Sequence, residues 1–461
     1  MQDIHYLSIA EASTLIAARH LSPLELVDAL LDRIARLDGE LNSYLLVTAD
    51  RARDQARNLE AELSRGHCRG PMHGIPYALK DAFATAGIRT TGQSKIFVDN
   101  VPKQNAAVVD RLEEAGGILL GKLATNELTF GGVSFDLPWP PARNPWDRER
   151  DPGGSSSGSG VAVAAGLCVM ALGTDTGGSI RKPAGWCGIV GFKPTYGLVS
   201  RSGVMSNSHT LDTCGPMARS VEDAAIVLAV IAGQDPRDPA SLDRKVDVSS
   251  FRGDIKGVRI GVVRSFYERD LPASEEVCIS MERAVEIFAE LGASITDCEL
   301  PRVHDFARCK VEIQQPEIYS VYCRELEIRP HDFSPRFLQR IMPGREISAV
   351  TYLEAQAKRR RLTTEMLEAM KEVDVLVMPA PYGPGPLLVD SASDPILNKP
   401  DLLVPFSVAR MPAICLCNGF SAKGPPLSMQ IAGRPWDDIM VLRVADAYER
   451  ATPWHQRHPV P

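Results

Sequence analysis

Along the first seventy residues apolar positions recur three and four apart. Leu24, Val27, Leu30, Leu31, Ile34 and Leu37 form one stripe, the spacing of an amphipathic helix. Two start signals accompany this pattern: Ser8 with Glu11, and Ser22 with Glu25, the latter carrying Pro23 at the first helical position. A third helix is predicted over residues 48–64. Residues 1–69 thus read as a helical layer lying on the rest of the molecule. From residue 70 short apolar runs alternate with helical patterns, such as a helix over 106–115 followed by a strand over 117–120. Further strands are predicted at 258–263, 373–378, 413–417 and 427–431, and helices over 222–232, 274–291, 352–371 and 439–451. This alternation predicts an α/β architecture in which helices cover a mixed sheet. The Pro and Gly cluster at 379–386 reads as a loop inside one domain.

Composition narrows the class. Hydrophobic residues supply 44% of 461 positions and charged residues 24%, enough apolar side chain for a large core and too much for a disordered chain. Length alone suggests about three domains. Lys and Arg number 51 against 58 Asp and Glu, a net charge of −7 with no long block of either sign. Nucleic acid and anionic membranes therefore lose their usual electrostatic support as partners. The basic run from Lys358 to Arg361 reads as a solvated helix face. No apolar run has signal length at the N-terminus and none reaches the length of a membrane span, so a cytoplasmic protein is expected. Ten cysteines without a CxxC pair fit buried, reduced thiols.

Two motifs fail on context. Residues 116–123, GGILLGKL, match a phosphate-binding loop except at Leu123, where Ser or Thr would hold magnesium, and the Gly pair precedes the apolar run instead of following it. Residues 154–158, GSSSG, place Ser156 in a G-x-S-x-G frame, yet no downstream His has a distinguishing local context. The nine histidines show no metal-ligand spacing, so no metal and no cofactor are expected. A stronger signal lies between Asp151 and Gly191, where two Gly and Ser-rich loops bracket the apolar stretch 161–172. The second loop, Thr176-Gly177-Gly178-Ser179, can turn successive N–H groups toward one point, as an oxyanion requires, beside a serine that could attack the same carbonyl. A glycine-rich turn with a capping serine is the plainer alternative. A hydroxyl needs a base. Lys80 ends the apolar run 74–80, and a lysine carried inward by a buried strand can be neutral; a surface lysine on a strand end is the alternative.

Three ordered motifs carry a resemblance: GIPYALKD at 74–81, PGGSSSGSG at 152–160 and GTDTGGSIRKPAGWCGIVGFKPTYG at 173–197. With PLSMQIAGRPWDD at 426–438 and the ATPWHQRHP ending, the chain resembles the amidase signature hydrolases over nearly its whole length. The resemblance implies a single α/β/α domain over 1–461, with a helical layer (1–69) and a catalytic α/β core (70–461). It implies Lys80, Ser155 and Ser179 as a Ser-Ser-Lys triad: Ser179 the nucleophile, Ser155 the proton relay at a cis peptide bond, Lys80 the base. The N–H groups of Thr176, Gly177, Gly178 and Ser179 are the implied oxyanion hole, and Asp175 and Arg181 brace the loop.

Departures bear on substrate. Ser157 replaces a common second Gly, and Arg410 stands in ARMP where the family commonly has AGLP. The segment ahead of Arg410 reads as lacking an Asp of the kind that the A subunits of tRNA-linked amidotransferases use to hold glutamine's ammonium. The expected activity is hydrolysis of a small amide, such as an aryl amide, anilide or carbamate, with water and without nucleic acid or membrane. The alternative is the glutaminase component, the A subunit, of a tRNA-dependent amidotransferase. A pocket lined by 130–144, 205–212 and a helix carrying Ile318, Tyr319 and Tyr322 is expected, with Trp139 and Trp186 as candidate walls, and a homodimer is the ordinary expectation for a soluble enzyme.

Overall fold

A computed structural model describes residues 3–460 apart from Lys245, Tyr382 and 395–398. Its frame is one sheet of eleven strands: β1 (Tyr44–Val47), β2 (Pro76–Lys80), β3 (Ile118–Leu123), β4 (Met170–Asp175), β5 (Val190–Lys193), β6 (Thr213–Ala218), β7 (Arg259–Val262), β8 (Ser294–Asp297), β9 (Val375–Pro379), β10 (Ala413–Phe420) and β11 (Pro426–Gly433). The spatial order is β1-β3-β2-β4-β6-β5-β10-β11-β9-β7-β8. β2 runs parallel to both β3 and β4, and β7 parallel to β8 and β9, while the central strands pair antiparallel. The mixed α/β sheet covered by helices is the expected fold.

Local signals explain most elements. Ser8 accepts from the Glu11 N–H and Glu11 returns a bond to the Ser8 N–H, closing a capping box. Ser22 caps the next helix through the Leu24 and Glu25 N–H groups, without the reciprocal Glu25 bond among those described. The Leu24 stripe faces inward, with Val27, Leu30, Leu31 and Ile34 buried. The predicted helices appear as Ala107–Glu114, Val221–Ile231, Glu275–Glu290, Ala349–Ala369 and Asp438–Arg450. Residues 1–69 are not wholly helical: Tyr44–Val47 pairs antiparallel with β3 as the sheet's edge. A four-residue, half-buried strand carries too little alternation to be read from sequence.

The apolar stretch 161–172 splits. Residues Ser157–Ala164 form a buried helix, Gly166 turns the chain at φ +68°, and β4 begins at Met170. A left-handed turn at a glycine ends a helix where periodicity alone shows one continuous apolar run. The GGILLGKL segment is β3, a wholly buried strand, and Lys122 within it pairs with Asp81 at 3.2 Å. Within the basic run, Lys358 pairs with Asp305 and Arg361 with Glu365. No helix among the described residues is long and apolar enough to cross a membrane.

Candidate active site

Parallel pairing of β2 with β4 sets Leu79 opposite Leu172, so Lys80 and Thr174 lie near each other at the C-terminal ends of two neighbouring strands. That is where parallel strands present ligand-binding groups. Lys80 is fully buried, and its Nζ donates to Ser155 Oγ and to Thr174 Oγ1, each at 2.7 Å. Burial is the main cause that lowers its pKa to about 7, against the opposing pull of Asp212 and Asp175. The ammonium is thus close to balance with the amine near neutral pH.

Ser155 sits on the first Gly and Ser-rich loop, 4% exposed, with a cis peptide bond between Gly154 and Ser155. Its carbonyl accepts from the Thr125 hydroxyl at 2.9 Å and the Asn126 N–H at 3.2 Å. Gly153 has φ +85°, and a Cβ there would lie 2.8 Å from Pro183 Cα, so only glycine lets this loop lie against the helix Arg181–Cys187. The two loops are tied directly: the Ser156 N–H donates to the Ser179 carbonyl at 3.2 Å. Ser156 itself is fully buried, its Oγ bonded to the Thr174 backbone, and so does not present a nucleophile. Ser179 is partly exposed, and its hydroxyl has no hydrogen-bond partner among the described residues.

Asp175 and Arg181 hold the second loop. Arg181 Nε and Nη2 grip the two Asp175 oxygens at 3.0 Å each, both side chains being fully buried. Arg181 also donates to Ser407 Oγ, the Leu403 carbonyl and Gln430 Oε1. Burial pushes the Asp175 carboxyl up, but the Arg181 charge and hydrogen bonds outweigh it and hold the pKa at about 2. Asp175 also accepts from the Gly178 N–H at 2.8 Å. That bond removes Gly178 from the expected set of four donors, because an N–H aimed at a carboxylate is not aimed at an oxyanion. The N–H groups of Thr176, Gly177 and Ser179 have no partner among the described residues.

These groups open on a cavity of about 460 Å³ whose lining includes Ser155, Gly177, Gly178, Ser179, Trp186 and Lys310. Gly131, Gly132, Val133 and Asn207 come from the two variable segments expected to line it. Ile318, Tyr319 and Tyr322 do not: they pack in a separate apolar cluster with Phe130 and Phe337. The same helix, Val303–Ile328, reaches the cavity two turns earlier through Lys310 and Gln314. Trp186 is a wall, donating to the Gly383 carbonyl at 3.0 Å, whereas Trp139 is not among the lining residues. No histidine among the described residues lines the cavity; His209 lines a smaller one of about 150 Å³ whose lining also includes Thr174.

Sequence reasoning missed three participants. Thr174 shares Lys80 with Ser155. Asp212 accepts from Thr176 Oγ1 at 2.6 Å and from the Asn207 and Ser208 N–H groups, fixing the start of the loop. Asp401, in the segment ahead of Arg410, lines the cavity and pairs with Lys182. Arg410 lies outside the cavity lining. It stacks over Tyr196 and donates to the Thr210 carbonyl at 3.0 Å, with a backbone φ of +60°. No group of three or more His, Cys, Asp or Glu is arranged to hold a metal among the described residues.

Comparison with known proteins places this geometry. The family profile described as Amidase matches residues 25–442. The A subunit of glutamyl-tRNA(Gln) amidotransferase from Moorella thermoacetica is 37% identical, with 99% of each chain covered. A peptide amidase from Stenotrophomonas maltophilia superposes with a TM-score of 0.86 at 30% identity, covering 98% of each chain. An inhibitor-bound structure from work on a vestigial protein complex and the origins of an s-triazine catabolic enzyme gives a TM-score of 0.90 at 30% identity, covering 99% of this chain and 100% of that one. With the profile spanning most of the chain and full-length relatives well above 30% identity, this protein belongs to the amidase signature family of hydrolases.

Proposed function

We propose that this chain is a serine amidohydrolase that cleaves the C–N bond of a small amide through an acyl-enzyme on Ser179. The observation that carries the reading is the buried Lys80, its Nζ 2.7 Å from Ser155 Oγ, with Ser155 and the Gly177–Ser179 turn lining one cavity. Neutral Lys80 takes the Ser155 hydroxyl proton along that vector, Ser155 takes the Ser179 proton, and Ser179 Oγ attacks the amide carbon. The oxyanion is met by N–H groups of the turn, with Gly178 left to Asp175. Return of the proton from Lys80 through Ser155 to the leaving nitrogen lets the C–N bond break, since an amine leaves and an amide anion does not. Water then repeats the sequence on the acyl-enzyme and restores Ser179. Asp175 and Arg181 act by holding the loop.

The test is turnover of a series of primary amides, anilides and carbamates by wild type and by Ser179→Ala. Loss of turnover with retained fold supports the reading, and full turnover in the variant overturns it.

A second reading has its own support: 37% identity to the A subunit of an amidotransferase over the full length, together with Asp401 at the cavity wall. On that reading the amide is glutamine and a partner receives the ammonia. Glutaminase activity that depends on a co-purifying partner would select it, and cleavage of non-amino-acid amides by the lone chain would select the first.

A further inference from the structure

Away from the cavity that Ser179 lines, two half-buried arginines converge on one carbonyl oxygen. Arg410 Nε donates to the Thr210 carbonyl at 3.0 Å, and Arg359 Nη1 donates to the same oxygen at 3.5 Å. Those are the hydrogen bonds their guanidinium groups make among the described residues, and neither group has an ion pair there. Arg359 belongs to the basic run 358–361, in which Lys358 and Arg361 are ion-paired and Arg360 is exposed. Other charges around this turn are already matched. Arg201 donates to the His209 carbonyl at 2.6 Å, but Asp238 takes its Nε and Nη2. Glu317 accepts from Ser208 Oγ, from the Thr210 N–H and hydroxyl, and from the Tyr352 hydroxyl. Its one negative charge faces two guanidinium groups, which leaves this corner with an excess of positive charge.

The backbone at Arg410 adds to the cost. Its φ is +60°, a left-handed conformation that glycine takes freely and a residue with a side chain does not. Strain of this kind persists where function or the surrounding structure holds it. The guanidinium so placed lies 4.1 Å over the Tyr196 ring and crowds Arg359. Burial, and then the charge of Arg359, lower the Arg410 pKa; an anion between the two acts in the opposite direction. Arginine keeps its proton, so the repulsion is not relieved by titration. Two neighbouring guanidinium groups with N–H donors to spare match the oxygens of a phosphate.

We propose that Arg359 and Arg410 form a binding site for the phosphate group of a small molecule, and that the bound anion tightens the 207–212 turn. By offsetting the repulsion, the anion lets Arg359 close its 3.5 Å contact with the Thr210 carbonyl. The same turn presents Asp212, which accepts from Thr176 Oγ1 at 2.6 Å. Arg410 also follows the helix Val404–Val408, whose Ser407 accepts from Arg181. Occupancy thus bears on two anchors of the Thr176–Ser179 turn from a distance.

The experiment titrates the protein with inorganic phosphate and with ribose 5-phosphate by calorimetry at fixed ionic strength, using wild type, Arg410→Gly and Arg359→Gln. Arg410→Gly suits the left-handed backbone, so it removes the cation without a demand on the fold. Wild type is expected to bind with a Kd of about 1 mM or tighter, and each variant about tenfold more weakly, the span of one charge-assisted hydrogen bond. The tighter probe tells free phosphate from a phosphomonoester, and either supports the site. The local readout is amide hydrogen exchange: peptides covering 207–212 should slow with phosphate in wild type and not in Arg410→Gly. Absence of saturable binding in wild type, equal affinity in all three proteins, or the same effect from chloride at equal ionic strength would overturn the site. Unchanged exchange over 207–212 in phosphate-saturated wild type would overturn the tightening. Neither readout needs turnover, so both stand apart from the assignment of Ser179.

Discussion

Lys80 shows how one side chain acquires its chemistry from depth. Its folded pKa of about 7 lies below the ordinary lysine value of 10.5 because burial disfavours the ammonium. The base form therefore gains population as pH rises through about 7. The prediction is a kcat/KM that climbs with pH across that value, measured by a pH–rate profile on a substrate that does not titrate there; a flat profile from about pH 5.5 to about 8.5 would remove Lys80 from the base role. Thr174 offers a second test at the same atom. Its hydroxyl accepts from Nζ at 2.7 Å, a bond that favours the charged amine. Thr174→Val should shift the rising limb to lower pH, and lower kcat by about tenfold through loss of one hydrogen bond that orients the amine. The motif GTDTGGS contains Thr174, but nothing in its spacing says that it points at a lysine 94 positions earlier.

At the scale of elements, the two active loops are set by what lies behind them. The Asp175–Arg181 pair is wholly buried and joins the second glycine-rich loop to the strand β11 and the helix Val404–Val408. Removing the cation leaves an uncompensated carboxylate, at a cost of about 3 to 5 kcal/mol. Arg181→Met should thus lower the midpoint of urea unfolding as well as activity, while surface pairs such as Arg57–Asp54 should not matter. Gly153 is the matching point on the other loop. Gly153→Ala places a methyl 2.8 Å from the Pro183 backbone in a left-handed conformation, so the loop that carries Ser155 must move off its helix. The expected result is a large fall in kcat with a smaller change in KM, read by steady-state kinetics on folded variant protein. Helices and strands such as Asp438–Arg450 and β11 were legible because their periodicity is local. The edge strand β1 and the split of 161–172 were not: β1 is defined by pairing to the distant β3, and the turn at Gly166 falls within an apolar run whose periodicity shows no break.

The whole molecule adds pH terms far from the chemistry. Glu449 is buried, accepts from the Val221 N–H, and has its pKa raised to about 8, first by burial and further by Asp223, Asp446 and Glu222. Its folded pKa exceeds the ordinary value of 4.5 that it keeps when unfolded, so the folded state holds a proton between these limits. Its stabilising contribution is full below about 4.5 and is lost as pH rises through about 8. Glu449→Gln keeps an acceptor for Val221 without the charge. It should raise Tm by about 2 to 4 °C near pH 8.5 and have little effect near pH 5, checked by calorimetry at both values; equal shifts at the two would refute the titration.

By itself the sequence determined the α/β class, the bounds of six helices to within a few residues, and the place of the two glycine-rich loops along the chain, since periodicity, capping and loop composition are properties of neighbouring residues; the grouping of Lys80, Ser155 and Ser179 came from the family resemblance. Only the tertiary structure decided that Thr174 shares the lysine, that Asp212 anchors Thr176, and that Lys310 and Asp401 stand in the cavity wall. These depend on strand register and on which loops meet at the ends of β2 and β4. Contacts between residues tens to hundreds of positions apart are fixed by burial and pairing across the sheet, and leave no periodic trace along the chain.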